Sequence, residues 1–298
     1  MLKKITRPAS AILGLLLLAG VAACGGGSDA TGLLNLSVTD TPVDGAENVV
    51  VAFTGVELMG PNGMQSYTFA SEQTLDLLKL QGNASAALLN NVTVPAGSYQ
   101  WLRLDVDTAN SYVISSTGGK FPLNIPSGSE SGLKLVSGFT VAQGGVADFV
   151  IDFDLRQSMT LDNSGGMTTY TLKPALRLID KQQVGSVTGT VSSTLSIGGT
   201  LITATTCSPA VYVYSGTGVV LEGYNVPVTG GTTPLTSATV ALDTNTGNYT
   251  YTVGFLAPGS YTLAVTCAAM DTTGALTLAF STSQTATVTS NTSTTIDF

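Results

Sequence analysis

The chain reads as an all-β protein, two tandem β-sandwich domains of immunoglobulin-like or prealbumin-like type behind an N-terminal segment that stays outside the fold. Three observations predict this. Short runs in which apolar and polar residues alternate recur along the length, separated by Gly, Pro, Asn and Asp turn signals. Only 10% of the 298 residues are charged, His is absent, and Thr, Ser, Gly and Val dominate. Helical character is confined to one Ala-rich stretch, residues 84–89. The part beyond the N-terminal segment, about 275 residues, is long enough for two hydrophobic cores.

That segment comes first. Lys3, Lys4 and Arg7 precede an apolar run whose thirteen residues, 11–23, end in small side chains. A helix needs roughly 20 residues to cross a hydrocarbon core, so residues 1–23 are predicted to be a cleaved signal peptide. The sequence VAAC at 21–24 resembles the lipobox of bacterial lipoproteins, whose cysteine thiol receives diacylglycerol before cleavage. The resemblance implies lipidation of Cys24 and a membrane partner engaged through two acyl chains, enough for stable anchoring. An ordinary cleaved signal with an incidental cysteine is the alternative. Gly25, not Asp, follows the cysteine, which by resemblance to the sorting rule of enteric bacteria favours the outer over the inner membrane of the cell envelope. Residues 24–31 are predicted to be a flexible tether, with a reach of about 25 Å from Gly25 onward.

A first β domain is expected over 32–182. In LLNLSVTD (33–40), Leu34, Leu36 and Val38 alternate with polar residues, and Thr41-Pro42 ends the strand. NVVVAFTGVEL (48–58) is a nearly continuous apolar strand followed by the turn Pro61-Asn62-Gly63, and LDLLKL (75–80) is a further apolar element. After a Pro-Ala-Gly turn, Leu102, Leu104 and Val106 face one way while Arg103, Asp105 and Asp107 face the other. Phe149, Ile151, Phe153 and Leu155 are likewise set inward, against Asp148, Asp152 and Asp154. YTLKPALRLI (170–179) closes the domain as one strand interrupted at Pro174, which marks an edge or a bulge.

The polar stretch 180–186 marks the boundary with a second domain, 183–298. Strands are expected there at 186–191, 201–206, 210–214, 238–242, 249–253, 261–266, 276–280 and 286–298, the spacing of a sandwich. With Cys24 assigned to lipid, Cys207 and Cys267 remain. In an oxidising compartment they read as a disulfide; two buried free thiols are the alternative.

Two resemblances follow from these residues. LSVTDTPVDGAENVVVAFTGVEL, LDLLKL, VPAGSYQWLRLDV, DFDLRQSM and YTLKPALRLID, in that order, resemble the bacterial lipoprotein family called domain of unknown function 4382. The resemblance implies a β-rich fold in the envelope and no assigned activity. GSVTGTV and TNTGNYTYTVGFLAPGSYTLAV are similar to carboxypeptidase-regulatory-like, prealbumin-like modules, some of whose relatives bind starch or other glycans.

Composition narrows the chemistry. Without residues 1–23 the chain keeps eight basic residues against nineteen acidic ones, about −11 overall. That argues against nucleic acid as a partner, since phosphate must be met with Lys and Arg. Without His there is no Ser-His-Asp or Cys-His site, and neither a GxSxG elbow nor a phosphate-binding Gly loop occurs. No catalytic, metal or cofactor site is assigned. The carboxylate pairs Asp105/Asp107 and Asp152/Asp154 each share a strand face and have the chemistry for Ca²⁺ or glycosidase work; otherwise they are the solvated face of amphipathic strands. Asp40 and Asp44, around Pro42, read as turn caps. Strict alternation sets Tyr99, Trp101 and Arg103 outward as a candidate ligand face for sugar rings or a protein. A bulge after the Pro-Ala-Gly turn would instead swing one ring into the core. The expected function is a non-catalytic, lipid-anchored binding or adhesion-like module of the envelope, binding a glycan; the alternative is an assembly partner of another envelope protein.

Overall fold

The computed structural model describes residues 30–126, 132–162, 168–173, 175–268, 271 and 277–298. The predicted signal peptide, the predicted lipid site Cys24 and Pro174 lie outside them. The chain is all-β and builds two sandwiches, each with its own hydrophobic core.

In the N-terminal lobe, β1 (Thr31–Thr41) buries the alternating Leu34, Leu36 and Val38. β2 (Ala46–Gly60) and β3 (Gly63–Asp76) form a hairpin whose tight return falls at Gly63, at a φ of +89° that a side chain would resist. β4 (Ala86–Pro95) runs antiparallel to β1, with Leu89 opposite Leu36. β5 (Gly97–Tyr99), β6 (Trp101–Ser115), β7 (Lys120–Asn124), β8 (Leu133–Leu135) and β9 (Phe139–Val141) follow. β10 (Val146–Asp154) lies parallel to β1 and leads into a single turn, α1 (Leu155–Ser158), capped by the Asp154 side chain. β11 (Met159–Asp162), β12 (Thr169–Leu172) and β13 (Leu176–Asp180) complete the lobe. One sheet has the order β13-β10-β1-β4; the other has β11-β12-β7-β6-β2-β3, with β8 also on β6. The core between them is built from Leu36, Val38, Phe53, Leu58, Leu104 and Phe153 among others.

The C-terminal lobe repeats the plan. Its strands are β14 (Gly185–Val191), β15 (Ser196–Ile197), β16 (Thr200–Leu201), β17 (Pro209–Ser215) and β18 (Thr236–Thr239). Then come β19 (Ala241–Asp243), β20 (Asn248–Leu256), β21 (Gly259–Cys267), β22 (Gln284–Val288) and β23 (Ser293–Thr295). The sheets β19-β20-β14-β23 and β18-β17-β21-β22 enclose Val187, Val211, Val213, Val253, Leu263 and Val265.

Several expectations change. The Ala-rich stretch 84–89 enters strand β4, not a helical turn, because pairing with β1 buries Leu88 and Leu89 and outweighs the helix preference of alanine. The single strand expected over 170–179 is two, β12 and β13, which belong to opposite sheets. Likewise 238–242 divides between β18 and β19, one in each sheet of its lobe. Of the strand expected at 201–206 only Leu201 is extended, as the second residue of β16, and the described part of 276–280 makes one isolated bridge, Phe280 to Thr266.

The lobes also share a local device. In PAGSY the Tyr99 hydroxyl donates to the Pro95 carbonyl at 2.7 Å, and in APGSY the Tyr261 hydroxyl donates to the Ala257 carbonyl at 2.7 Å. Both are tyrosine corners, in which the phenol ties a strand entry to the backbone four residues upstream.

Candidate functional site

Tyr99, Trp101 and Arg103 do not form one face. Gln100 is the break: β5 ends at Tyr99 and pairs with β9, while β6 starts at Trp101 and pairs with β2. Tyr99 is therefore 2% exposed, its ring stacked on Phe139 at 4.8 Å and seated over Gly60, where a Cβ would come within 2.5 Å of the ring. Burial pushes its phenol up to about 12. Trp101 and Arg103 do share the outer side of β6. The register sets Arg103 between Glu57 on β2 and Lys134 on β8, and its guanidinium pairs with Glu57. The Lys134 ammonium lies 4.3 Å from the Trp101 ring centroid, with the Arg103 guanidinium at 6.0 Å. The indole is thus half-exposed and already holds two cations.

The carboxylates separate by environment. Asp105 and Asp107 stay on the accessible side of β6. Asp105 is 3.5 Å from Arg103, and partial burial and the charge of Glu57 raise its pKa. Asp107 accepts from the Ala109 amide at 2.8 Å, an ordinary Asx turn. Asp152 and Asp154, expected to be solvated if not functional, are 4% and 3% exposed. They project from the face of β10 that the C-terminal lobe covers, so the outer face of this sheet is interior to the molecule. The two pairs stand on different sheets, and no group of three or more acidic or cysteine side chains is placed to hold a metal among the described residues.

The seam that buries them is polar. Thr41 Oγ1 meets Thr236 Oγ1 at 2.8 Å, and the Gln157 side-chain amide donates to the Pro234 carbonyl at 3.4 Å. Arg156, on α1, pairs with Asp44 and places its guanidinium 5.7 Å from the ring centroid of Tyr212 in the other lobe. The Tyr212 hydroxyl in turn donates to Asp271 at 2.9 Å, whose carboxylate also accepts from the Tyr224 and Asn225 amides at 2.8 Å. Arg177 pairs with Asp152. Asp40, on the core-facing side of β1 opposite Phe153, is 5% exposed; its carboxylate meets no side-chain donor among the described residues, and only the backbone amides of Leu155 and Thr41 favour its charged form. Burial, then the charges of Asp152 and Asp154, hold its pKa well above the usual range. Asp154 is pushed up to about 7 by burial and by Asp152, against the opposing pull of the Gln157 amide and the two arginines. A cavity of about 20 Å³, the room of one water, lies at this seam between Thr39, Asp152, Ser237 and Gly254.

Sequence reasoning missed this seam because it treated each lobe alone. The available signal was the small, uncharged Ser37, Thr39 and Thr41 opposite the buried face of β1, which suit a covered surface better than a solvated one. Cys207 and Cys267, by contrast, are joined as a disulfide, with Cα atoms 4.4 Å apart, linking the entry of β17 to the end of β21.

Residues 31–174 match the family model described as "Domain of unknown function (DUF4382)". No curated protein sequence matches the chain. Among solved structures, a leucine-rich repeat protein from Bacteroides thetaiotaomicron aligns with 90% of this chain at 16% identity and a TM-score of 0.23. The chain spans only 26% of that protein's length. The minor pilin GBS52 of Streptococcus agalactiae aligns over 89% of this chain and 94% of its own at 9% identity and a TM-score of 0.19. The fimbrial anchor protein Mfa2 of Porphyromonas gingivalis aligns over 79% and 78%, at 12% identity and a TM-score of 0.16. At these scores no residue role is carried across.

Proposed function

We propose that the chain is a lipid-anchored, non-catalytic binding module of the cell envelope, held at the outer membrane through Cys24, that captures an extended segment of another envelope protein by strand addition. The observation that carries this reading is β3. It is the outermost strand of its sheet and fourteen residues long, and its outer edge is unpaired among the described residues. Edge strands are ordinarily protected by Lys, Pro or a bulge that breaks the ladder. β3 has neither Lys nor Pro, and residues 64–71 carry no charge; its one irregularity is a register shift against β2 between Thr68 and Gln73, which leaves the run Met64–Thr68 as the regular stretch of edge. Along it Tyr67 and Phe69 pack toward the core while Met64, Ser66, Thr68 and Ala70 are exposed, so its main-chain groups and an alternating set of side chains are both offered to a partner. A photoreactive residue at Thr68 or Ala70 in intact cells should yield a reproducible adduct with one other envelope protein, which the same residue at Thr244 should not. Absence of an adduct, or an adduct only with a second copy of the chain, would refute strand capture. Mass analysis of Cys24 from native cells tests the anchor separately.

A second reading, glycan binding, rests on Trp101, half-exposed beside Arg103 and Lys134. Binding on a glycan array that is lost in Trp101→Ala would favour it. Within either reading, residues 32–182 and 183–298 are proposed to be separate domains, the second prealbumin-like.

A further inference from the structure

The seam between the lobes buries more acid than base. Asp152 and Asp154 enter from β10 and Asp44 from the turn after β1, with Asp40 buried behind them on the core-facing side of β1; against them stand Arg156 from α1 and Arg177 from β13. The C-terminal lobe adds no cation among the described residues. It contributes the phenols of Tyr212 and Tyr224 and a further acid, Asp271, whose charge is met by three donors of its own lobe. Two carboxylates are thus left without a cation, and one of them, Asp40, has among the described residues only the backbone amides of Leu155 and Thr41 to favour its charged form. An ionised carboxylate so placed costs several kcal/mol unless it is neutralised.

We infer that the seam is an acid-tightened latch: packing the C-terminal lobe against Asp152 and Asp154 takes up a proton, so the lobes hold together more firmly below neutral pH than above it. The proton resides on Asp154, with Asp40 as its neighbour on the adjacent strand. The raised pKa of both acids agrees with this. The direction follows from linkage. With the seam open, Asp154 titrates near the ordinary value of about 3.9; with it closed, it titrates near neutrality. Below about pH 4 both states are protonated and nothing is lost. As pH rises from there toward 7, the open state ionises first and is favoured. One proton taken up on closure shifts the closed-to-open ratio by about tenfold per pH unit across that window.

The test uses the full chain in detergent. Carbon-13 NMR of the Asp carboxyls should show one titrating near pH 7, assigned to Asp154 by its loss in Asp154→Asn. The thermal midpoint should fall between about pH 5 and pH 8. Asp154→Asn, which keeps an oxygen to accept from the Gln157 amide, should raise the midpoint at the upper pH and flatten the dependence; Asp107→Asn, at a half-buried position on the other sheet and away from the seam, should leave that dependence unchanged. A wild-type Asp154 that titrates at ordinary carboxylate pH would overturn the latch whether or not the variant folds. So would an unaltered slope in a folded Asp154→Asn.

Discussion

Arg156 shows how a single charge can be fixed by two lobes at once. Its side chain is almost fully buried, paired with Asp44 and laid over the ring of Tyr212, and its neutral form is disfavoured despite burial because Tyr212 and Asp44 hold the charge. Removing one member of a buried pair leaves the other without compensation, at a cost of about 3–5 kcal/mol; here the penalty is larger for losing Asp44, because the Arg156 side chain is 1% exposed and that of Asp44 23% exposed. Asp44→Ala should therefore lower unfolding stability in urea more than Arg156→Met does; the reverse order would mean that Asp44, not Arg156, is the charge left buried when the pair is broken. The two tyrosine corners give a smaller, cleaner expectation. Tyr99→Phe and Tyr261→Phe each remove one phenol-to-carbonyl bond while keeping the ring, so each should cost about 1 kcal/mol. The two costs should add, because the residues belong to different cores. The repeat was also the cue that sequence alternation overlooked. PAGSY and APGSY carry the same strand-entry pattern, and recognising Tyr99 as a corner would have set it inward at once. Alternation failed there because it assumed one continuous strand across Gln100, where the chain changes sheets.

Strand elements were legible where apolar residues alternate with polar ones, as in β1 and β6, or run nearly unbroken, as in β2. β3 was not, since a strand whose exposed side faces water at a sheet edge needs few apolar residues, and GMQSYTFASEQTLD shows little beyond Tyr67 and Phe69. β4 failed for a different reason: ASAALL has the composition of a helix, and only the tertiary pairing with β1 makes it extended. The paired cysteines at the ends of β17 and β21 were legible by counting, but their proximity was not. Because the bridge closes a loop of 60 residues, it should contribute about 2–4 kcal/mol to the C-terminal lobe by restricting the unfolded chain. Cys207→Ala with Cys267→Ala should lower the unfolding free energy from denaturant titration by that amount, and added reductant should do the same to the wild-type chain alone. Equal stability with and without the bridge would show that strain in the folded lobe offsets the gain.

At the scale of the whole molecule the lobes are joined by close backbone approach as well as by charge. A Cβ on Gly254 of β20 would lie 2.1 Å from the Gly82 carbonyl oxygen in the other lobe, a contact with main chain that no rotamer relieves. Buried bonds such as Thr41 to Thr236 depend on the same approach. Two lobes docked through such a seam should unfold together, since opening it exposes Asp154 and Thr236 before either core is lost. Trp101 makes this measurable, because it is the only tryptophan in the chain and reports on the N-terminal lobe alone, while far-ultraviolet dichroism reports on the strands of both. In the wild-type chain the two signals should trace one urea transition. In Gly254→Leu the seam must part, and the signals should separate into two transitions, each lobe then standing on its own core. Separate transitions already in the wild type would mean that the contacts across the seam are too weak to couple the lobes, and a single transition in Gly254→Leu would mean that the lobes re-dock around the added side chain.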